Sequence, residues 1–258
     1  MPIALTTRRP AAGAHEAPLL FVHGAWHGRW CWEPFLDAFA ELGRTGHALD
    51  LRGHGDSDGR LRTASIADYV EDVRSVAVGL EQPPILVGHS MGGWIVQQYV
   101  ARHQAAAAVL IAPVPVHGVY QATLRVAKEV PGPFAKANLT LNLGPVVASP
   151  RHARALLFRP EDARPEVDAA IGNLQDESYR AYLDMMVRRV RPRQVRNPVM
   201  VIGGTADRLF SAAEFTKTAA AYDAPLHLIP EAPHDVMLDT AGPDVVAVIA
   251  EWLESICH

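Results

Sequence analysis

Short apolar runs alternate with longer stretches of helical periodicity along this chain. The runs are Leu19-Leu20-Phe21-Val22, Ala48-Leu49-Asp50-Leu51, Ile85-Leu86-Val87, Val109-Leu110-Ile111, Val199-Met200-Val201-Ile202 and Leu226-His227-Leu228-Ile229. Most are continuous rather than alternating, as in strands covered on both faces. Helices are predicted over 34–42, 65–80, 91–102, 211–222 and 243–256. Strand alternating with helix predicts an α/β fold, a mostly parallel, doubly wound sheet. Such a sheet binds its ligands outside the carboxyl ends of the strands, so the residues directly after each strand are the place to look for chemistry.

The alternation stops once. Over 116–197 no strand is evident, while prolines at 131, 133, 145, 150, 160 and 165 divide the stretch into short helical pieces. Ser149-Pro150 reads as an N-cap followed by proline at the first helical position. Tyr179, Tyr182, Leu183, Met186 and Val190 recur at helical spacing. The expected organisation is a core built from 1–115 and 198–258, with 116–197 inserted after the fourth of these strands as a helical lid over the strand ends.

Composition narrows the class without identifying it. The chain of 258 residues is 49% hydrophobic and 20% charged, which is ordinary for one large globular domain. A formal charge of −4 lacks the basic footprint of a nucleic-acid binder. Two cysteines, Cys31 and Cys257, give no disulfide framework. The opening MPIALTTRRP places its arginines after a short apolar stretch, the reverse of a secretory signal. The apolar run 105–116 is too short to cross a bilayer. A cytoplasmic location without membrane insertion is expected; oligomeric state is left open.

Three strand ends carry residues suited to nucleophilic catalysis. The third run leads into Gly88-His89-Ser90-Met91-Gly92 and then a helix. This Gly-x-Ser-x-Gly is the pattern of a tight strand-to-helix turn that projects a serine hydroxyl from the sheet. A serine nucleophile needs a base, and the base an orienting acid, in the chain order serine, acid, histidine. Asp207 follows the fifth run in Gly203-Gly204-Thr205-Ala206-Asp207, and His234 follows the sixth in Pro230-Glu231-Ala232-Pro233-His234. His227 lies inside its strand and is passed over. The stretch after the fourth run, Pro113-Val114-Pro115-Val116-His117, holds no carboxylate to compete with Asp207. The first run ends in His23-Gly24-Ala25-Trp26-His27-Gly28, and the expected oxyanion donors are the backbone N–H groups of Ala25 and Met91. Trp26 and His27 are the first candidates for substrate contact, with Phe134, Met185, Met186, Phe210 and Leu139 behind them. Trp30, Trp32 and Trp94 are expected in the core. The loop Asp50-Leu51-Arg52-Gly53-His54-Gly55-Asp56-Ser57-Asp58 has the glycines and short polar side chains of a tight turn. No second ligand motif accompanies it, so no metal is expected.

In this order, His23-Gly24, the Asp50 to Gly55 loop, Gly88-His89-Ser90-Met91-Gly92, Asp207 and His234 resemble the α/β-hydrolase superfamily over essentially the whole chain. More narrowly, His23-Gly24-Ala25-Trp26-His27-Gly28-Arg29-Trp30-Cys31-Trp32 looks like the oxyanion loop of the plant methyl-esterase and hydroxynitrile-lyase group and of related bacterial hydrolases. That resemblance implies that the two antiparallel strands which open other members are vestigial or absent before Pro18. The lyases place a lysine after the histidine; this chain has Asp235, which argues for hydrolysis over cyanohydrin cleavage. Ser90 excludes the aspartate-nucleophile chemistry of the related dehalogenases and epoxide hydrolases. The expected activity is hydrolysis of a small-molecule carboxylic ester, lactone or thioester through an acyl-enzyme, with no cofactor. The alternatives are C–C bond hydrolysis, a lyase, cofactor-free oxygenation, or ligand binding without catalysis, because the fold alone does not select among them.

Overall fold

A computed structural model describes residues 2–11, 13 and 17–256; Cys257 lies outside them. Seven strands form one sheet: β1 (Leu5–Arg8), β2 (Leu19–Val22), β3 (Gly46–Leu49), β4 (Ile85–His89), β5 (Ala107–Ile111), β6 (Val199–Gly204) and β7 (Leu226–Ile229). Their spatial order is β1-β3-β2-β4-β5-β6-β7. β1 runs antiparallel to β3, and every other pairing is parallel.

The apolar runs become the strands because β2 to β6 are buried at every position, so neither face tolerates a polar alternation. Consecutive side chains point to opposite faces and enter two separate cores. Leu19 and Phe21 face one core, where Phe21 meets the rings of Trp32 and Phe35 at 5.1 and 6.3 Å. Leu20 and Val22 face the other, with Tyr69 and Trp94. The first core is closed by α1 (Glu33–Glu41) and α11 (Gly242–Ile256), and the second by α2 (Ile66–Ala77) and α3 (Met91–Val100). α10 (Ala212–Tyr222) packs on β6. Capping boxes open two of these helices, Ser65 with Asp68 at α2 and Ser211 with Glu214 at α10.

Two edges differ from the sequence expectation. One short antiparallel strand, β1, does precede Pro18; its part-exposed LTTR has the weak pattern of an edge and stands out in no apolar count. β3 begins two residues before the Ala48 run and ends before Asp50, because Asp50 turns back as an acceptor for the following loop. Its carboxylate takes the Arg29 backbone N–H at 2.6 Å and the Asp56 N–H at 3.0 Å, and its carbonyl takes the Ser57 hydroxyl at 2.7 Å.

Between β5 and β6 the described residues form only helices and turns: α4 (Tyr120–Glu129), α5 (Pro131–Thr140), α6 (Gly144–Val147), α7 (Pro150–Leu157), α8 (Pro165–Gly172) and α9 (Tyr179–Val187). Proline stands at the first or second position of α5, α6, α7 and α8, where its missing N–H leaves no helical bond unmade. Ser149 takes the N-cap place of α7, but its side chain makes no capping hydrogen bond. No helix among the described residues is long and apolar enough to cross a membrane.

Candidate active site

Ser90 stands between β4 and α3 with φ 51° and ψ −116°, a conformation that side chains with a Cβ rarely adopt. Close packing enforces it. A Cβ on Gly88 would lie 2.5 Å from the Gly92 carbonyl oxygen, and one on Gly92 would strike the carbonyls of Val22 and His23. The turn therefore sits hard against the end of β2 and pushes the serine out of the sheet. The Ser90 side chain is almost fully buried, and its hydroxyl has no hydrogen-bond partner among the described residues.

Ser90 opens onto an apolar cavity of about 90 Å³. Ala25 and Met91 line it as well, and neither backbone N–H has a partner among the described residues. Met91 begins α3, so its N–H belongs to the electropositive end of a helix. Trp26 also lines the cavity and has φ 67°. It is the third residue of a turn closed by His27 N–H to the Gly24 carbonyl at 3.4 Å. Glycine is the usual residue at a third position of positive φ.

His234 and Asp207 meet at the same sheet edge. The imidazole Nδ1 donates to Asp207 Oδ2 at 2.8 Å, with both side chains buried. The other carboxylate oxygen accepts the N–H groups of Leu209 at 2.7 Å and Phe210 at 2.9 Å, which locks its orientation. Burial pushes the His234 imidazole down, but Asp207 outweighs it and holds the ring above its ordinary value. His234 is also tied through its backbone: His89 Nε2 donates to the His234 carbonyl at 3.1 Å. Burial, and then the adjacent His234, press His89 down to about 3, which leaves that ring neutral.

Of the residues marked for substrate contact, Trp26, Phe134, Met185 and Phe210 line the cavity. His27, Met186 and Leu139 do not. The His27 ring turns inward and bonds Ala25 O at 2.7 Å and Asp235 Oδ2 at 2.9 Å. Met186 adjoins the cavity-lining Met185 on α9 but does not line the cavity; its sulfur accepts from the Thr123 hydroxyl at 3.6 Å. Leu139 is 86% exposed near the end of α5. The rest of the wall includes Val114, Val119, Ala122, Leu143 and Val146. In sequence they look like ordinary apolar core positions of helices and loops, so no signal separated them in advance. Glu177 is the one carboxylate in the wall, and both of its oxygens are engaged. Oε1 accepts from Tyr69 OH at 2.8 Å and Ser178 N at 2.6 Å, and Oε2 lies 3.1 Å from His54 Nε2. Trp32 and Trp94 are fully buried, while Trp30 is partly buried and stacks on His27 at 5.5 Å.

Among the described residues, one group could share a metal ion: His27, His89 and Asp235, with ligand atoms within 4.8 Å of one another. All three are buried. The short His27–Asp235 contact leaves little room between those two side chains.

Comparison with known proteins places this arrangement. The Alpha/beta hydrolase family profile matches residues 19–248. The chain is 31% identical to a monoacylglycerol lipase of Mycolicibacterium smegmatis over 84% of its own length and 80% of that protein. It is 37% identical to Methylesterase 18 of Arabidopsis thaliana, over 30% of this chain and 31% of the relative. Among solved structures, an esterase from Exiguobacterium antarcticum superposes with a TM-score of 0.79 at 16% identity, covering 98% of this chain and 95% of the other. A monoacylglycerol lipase from Paleococcus ferrophilus gives 0.75 at 21% identity, covering 99% of both chains. The sheet order, the family match and the relative matched over four-fifths of its length agree: this chain is a member of the α/β-hydrolase family.

Proposed function

We propose that the protein is a cofactor-independent serine hydrolase of small-molecule carboxylic esters that works through an acyl-enzyme. One observation carries this reading. An apolar cavity is walled by Ser90 and by the residues of two unpaired backbone N–H groups, Ala25 and Met91, while the buried His234–Asp207 pair stands at the same sheet edge. Ser90 Oγ attacks the ester carbonyl as His234 takes its proton, and Asp207 holds the imidazole in the tautomer that can accept it. The Ala25 and Met91 N–H groups stabilise the tetrahedral oxyanion, each contributing about 3 kcal/mol in sites of this kind. His234 then protonates the departing alkoxide and activates water to release the acid.

The segment 116–197 acts as the lid in this reading. Val119, Ala122, Phe134, Leu143 and Met185 supply much of the cavity wall, so the lid shapes the acyl site. The cavity of about 90 Å³ is smaller than an engineered void of ~150 Å³ that admits one benzene, which favours short acyl groups. The similarity to a lipase and to methylesterases supports an ester substrate. Asp235 supports hydrolysis over the lyase alternative, because the side chain after the base is a carboxylate bonded to His27 rather than a lysine facing substrate.

The test is fluorophosphonate labelling together with p-nitrophenyl esters from acetate to decanoate, on wild type and Ser90→Ala. Labelling and turnover that both vanish in the variant are expected, with short chains preferred in wild type. Ester turnover retained by folded Ser90→Ala would sink the reading.

A further inference from the structure

Both ring nitrogens of His27 face an oxygen. Its Nδ1 faces the Ala25 carbonyl at 2.7 Å and its Nε2 faces Asp235 Oδ2 at 2.9 Å. Both partners are acceptors when Asp235 is ionised, and a neutral imidazole has a single N–H. Four residues earlier, His23 makes the ordinary arrangement: Nδ1 donates to Gly24 O at 2.8 Å, and Nε2 accepts the Leu51 N–H at 3.1 Å. One donor and one acceptor suit a neutral ring there. Beside an ionised Asp235, the two contacts of His27 call for two ring protons.

We propose that His27 and Asp235 are positioning residues: a buried imidazolium–carboxylate pair that holds the Ala25 peptide of the oxyanion loop in place against Ser90. This role rests on the serine-esterase reading.

The surroundings favour the charged pair over a neutral ring beside a protonated acid. Trp30 stacks on His27 at 5.5 Å with planes 27° apart, the placement in which an aromatic face attracts a cation. Burial pushes the Asp235 carboxyl up, but His27 beside it outweighs burial and holds it below the usual range. The other ionisable groups around the pair do not compete for the proton. His89 lies edge-on at 5.8 Å and is neutral, His23 is neutral, and the Cys31 thiol is held protonated by burial. Asp50 is already paired with Arg29.

The loop has reason to need such a clamp. Trp26 sits at φ 67° between Ala25 and His27, a left-handed conformation that is strained for a residue with a Cβ. Such strain persists only where the surroundings over-determine it. Two bonds tie Trp26 to the 116–197 segment, Nε1 to Leu143 O at 3.2 Å and Trp26 O to Gln175 N at 2.9 Å. The His27–Asp235 pair ties the same turn to the loop of the base. Asp235 adjoins His234, whose carbonyl accepts from His89, and His89 adjoins Ser90. Oxyanion loop, base and nucleophile are thus cross-linked through one buried cluster formed by their neighbours.

The test begins with a long-range 1H–15N spectrum of the wild-type protein labelled in histidine, with His27 assigned through its contact with the Trp30 indole. Two ring N–H protons on His27 at neutral pH are expected; a ring with one overturns the pair, whatever the variants do. Asp235→Asn then tests the consequence. Because it disturbs an oxyanion donor, kcat on p-nitrophenyl butyrate should fall about 100-fold. Because neither side chain lines the cavity, KM should stay within about twofold. Affinity for an arylboronic acid, which forms a tetrahedral adduct on serine, should fall by the same factor as kcat. An unchanged kcat in folded Asp235→Asn, or a loss confined to KM, overturns the positioning role. Activity lost on exhaustive chelation and restored by zinc would also overturn it, assigning His27, His89 and Asp235 to a cation. Fluorophosphonate labelling of the wild type runs alongside: if Ser90 is not labelled, the esterase reading fails while the spectrum still judges the pair.

Discussion

The sheet and the 116–197 segment bury apolar surface in different ways. Strands β2 to β6 expose no residue, and their two faces fill two cores. The helical segment lines a cavity on its inner side and leaves Tyr120, Leu124, Leu139, Leu141, Leu183 and Val187 exposed on its outer side. Packing a strand end on both faces removes its freedom to move, so the residue that follows has a fixed position. Ser90 and Asp207 follow two such strands, β4 and β6, whereas the loop of His234 follows β7, an edge strand that is only partly buried. Short helices started by prolines and covered on one side have fewer constraints, and they are the part that can vary the shape of a site without disturbing its chemistry. On the proposed reading, the strand ends hold the chemistry while the 116–197 segment supplies much of the cavity wall.

The sharpest way to break the comparison is at the strand ends. Ser90→Ala should lower kcat by about 10⁴-fold or more with an unchanged unfolding transition; steady-state turnover and thermal unfolding on the same sample check it. Asp207→Asn should cost about 10⁴-fold through the wrong imidazole tautomer. The pH profile gives a second reading of that variant. The base must be neutral to take the serine proton, and Asp207 holds His234 above its ordinary 6.5. The acid limb of kcat/KM in wild type should therefore lie above pH 6.5 and move to lower pH in the variant.

Stability should distinguish the regions next. Leu20→Ala in the buried β2 should destabilise by about 2–5 kcal/mol in urea unfolding. Selectivity should respond to the other region: Phe134→Ala or Met185→Ala should shift the preferred p-nitrophenyl ester toward longer chains, by about 10-fold or more in the kcat/KM ratio. Smallest of all, Leu139→Ala on the outer face should change unfolding by no more than about 0.5 kcal/mol. A large loss there would show that this face is covered in solution.

Much of the sheet was legible because six of the seven strands are apolar runs and several helix starts carry their own caps, as Ser65 and Ser211 show. β1 was not, since an edge strand half open to solvent needs no apolar pattern. The candidate triad positions were legible for a related reason: a parallel sheet places functional residues directly after its strands, and Gly88, Gly92 and Ser90 mark one such end by their steric demands. His27 was misread as a substrate contact because a polar residue beside an oxyanion loop looks the same in sequence whether it turns outward or inward. Asp235, its partner, lies 208 positions away.

The sequence by itself determined the order of six of the seven strands and of the helices that cover them, the tight turn at Ser90, and the chain order of the candidate serine, acid and histidine. These depend on local periodicity, on glycine where no Cβ fits, and on short loops after strands. Only the tertiary structure decided which of the twelve histidines pair with carboxylates, which apolar side chains of 116–197 face the cavity, and which way His27 turns. Those outcomes depend on groups brought together from distant parts of the chain, where burial, the number of available donors and the shape of the facing wall set the result.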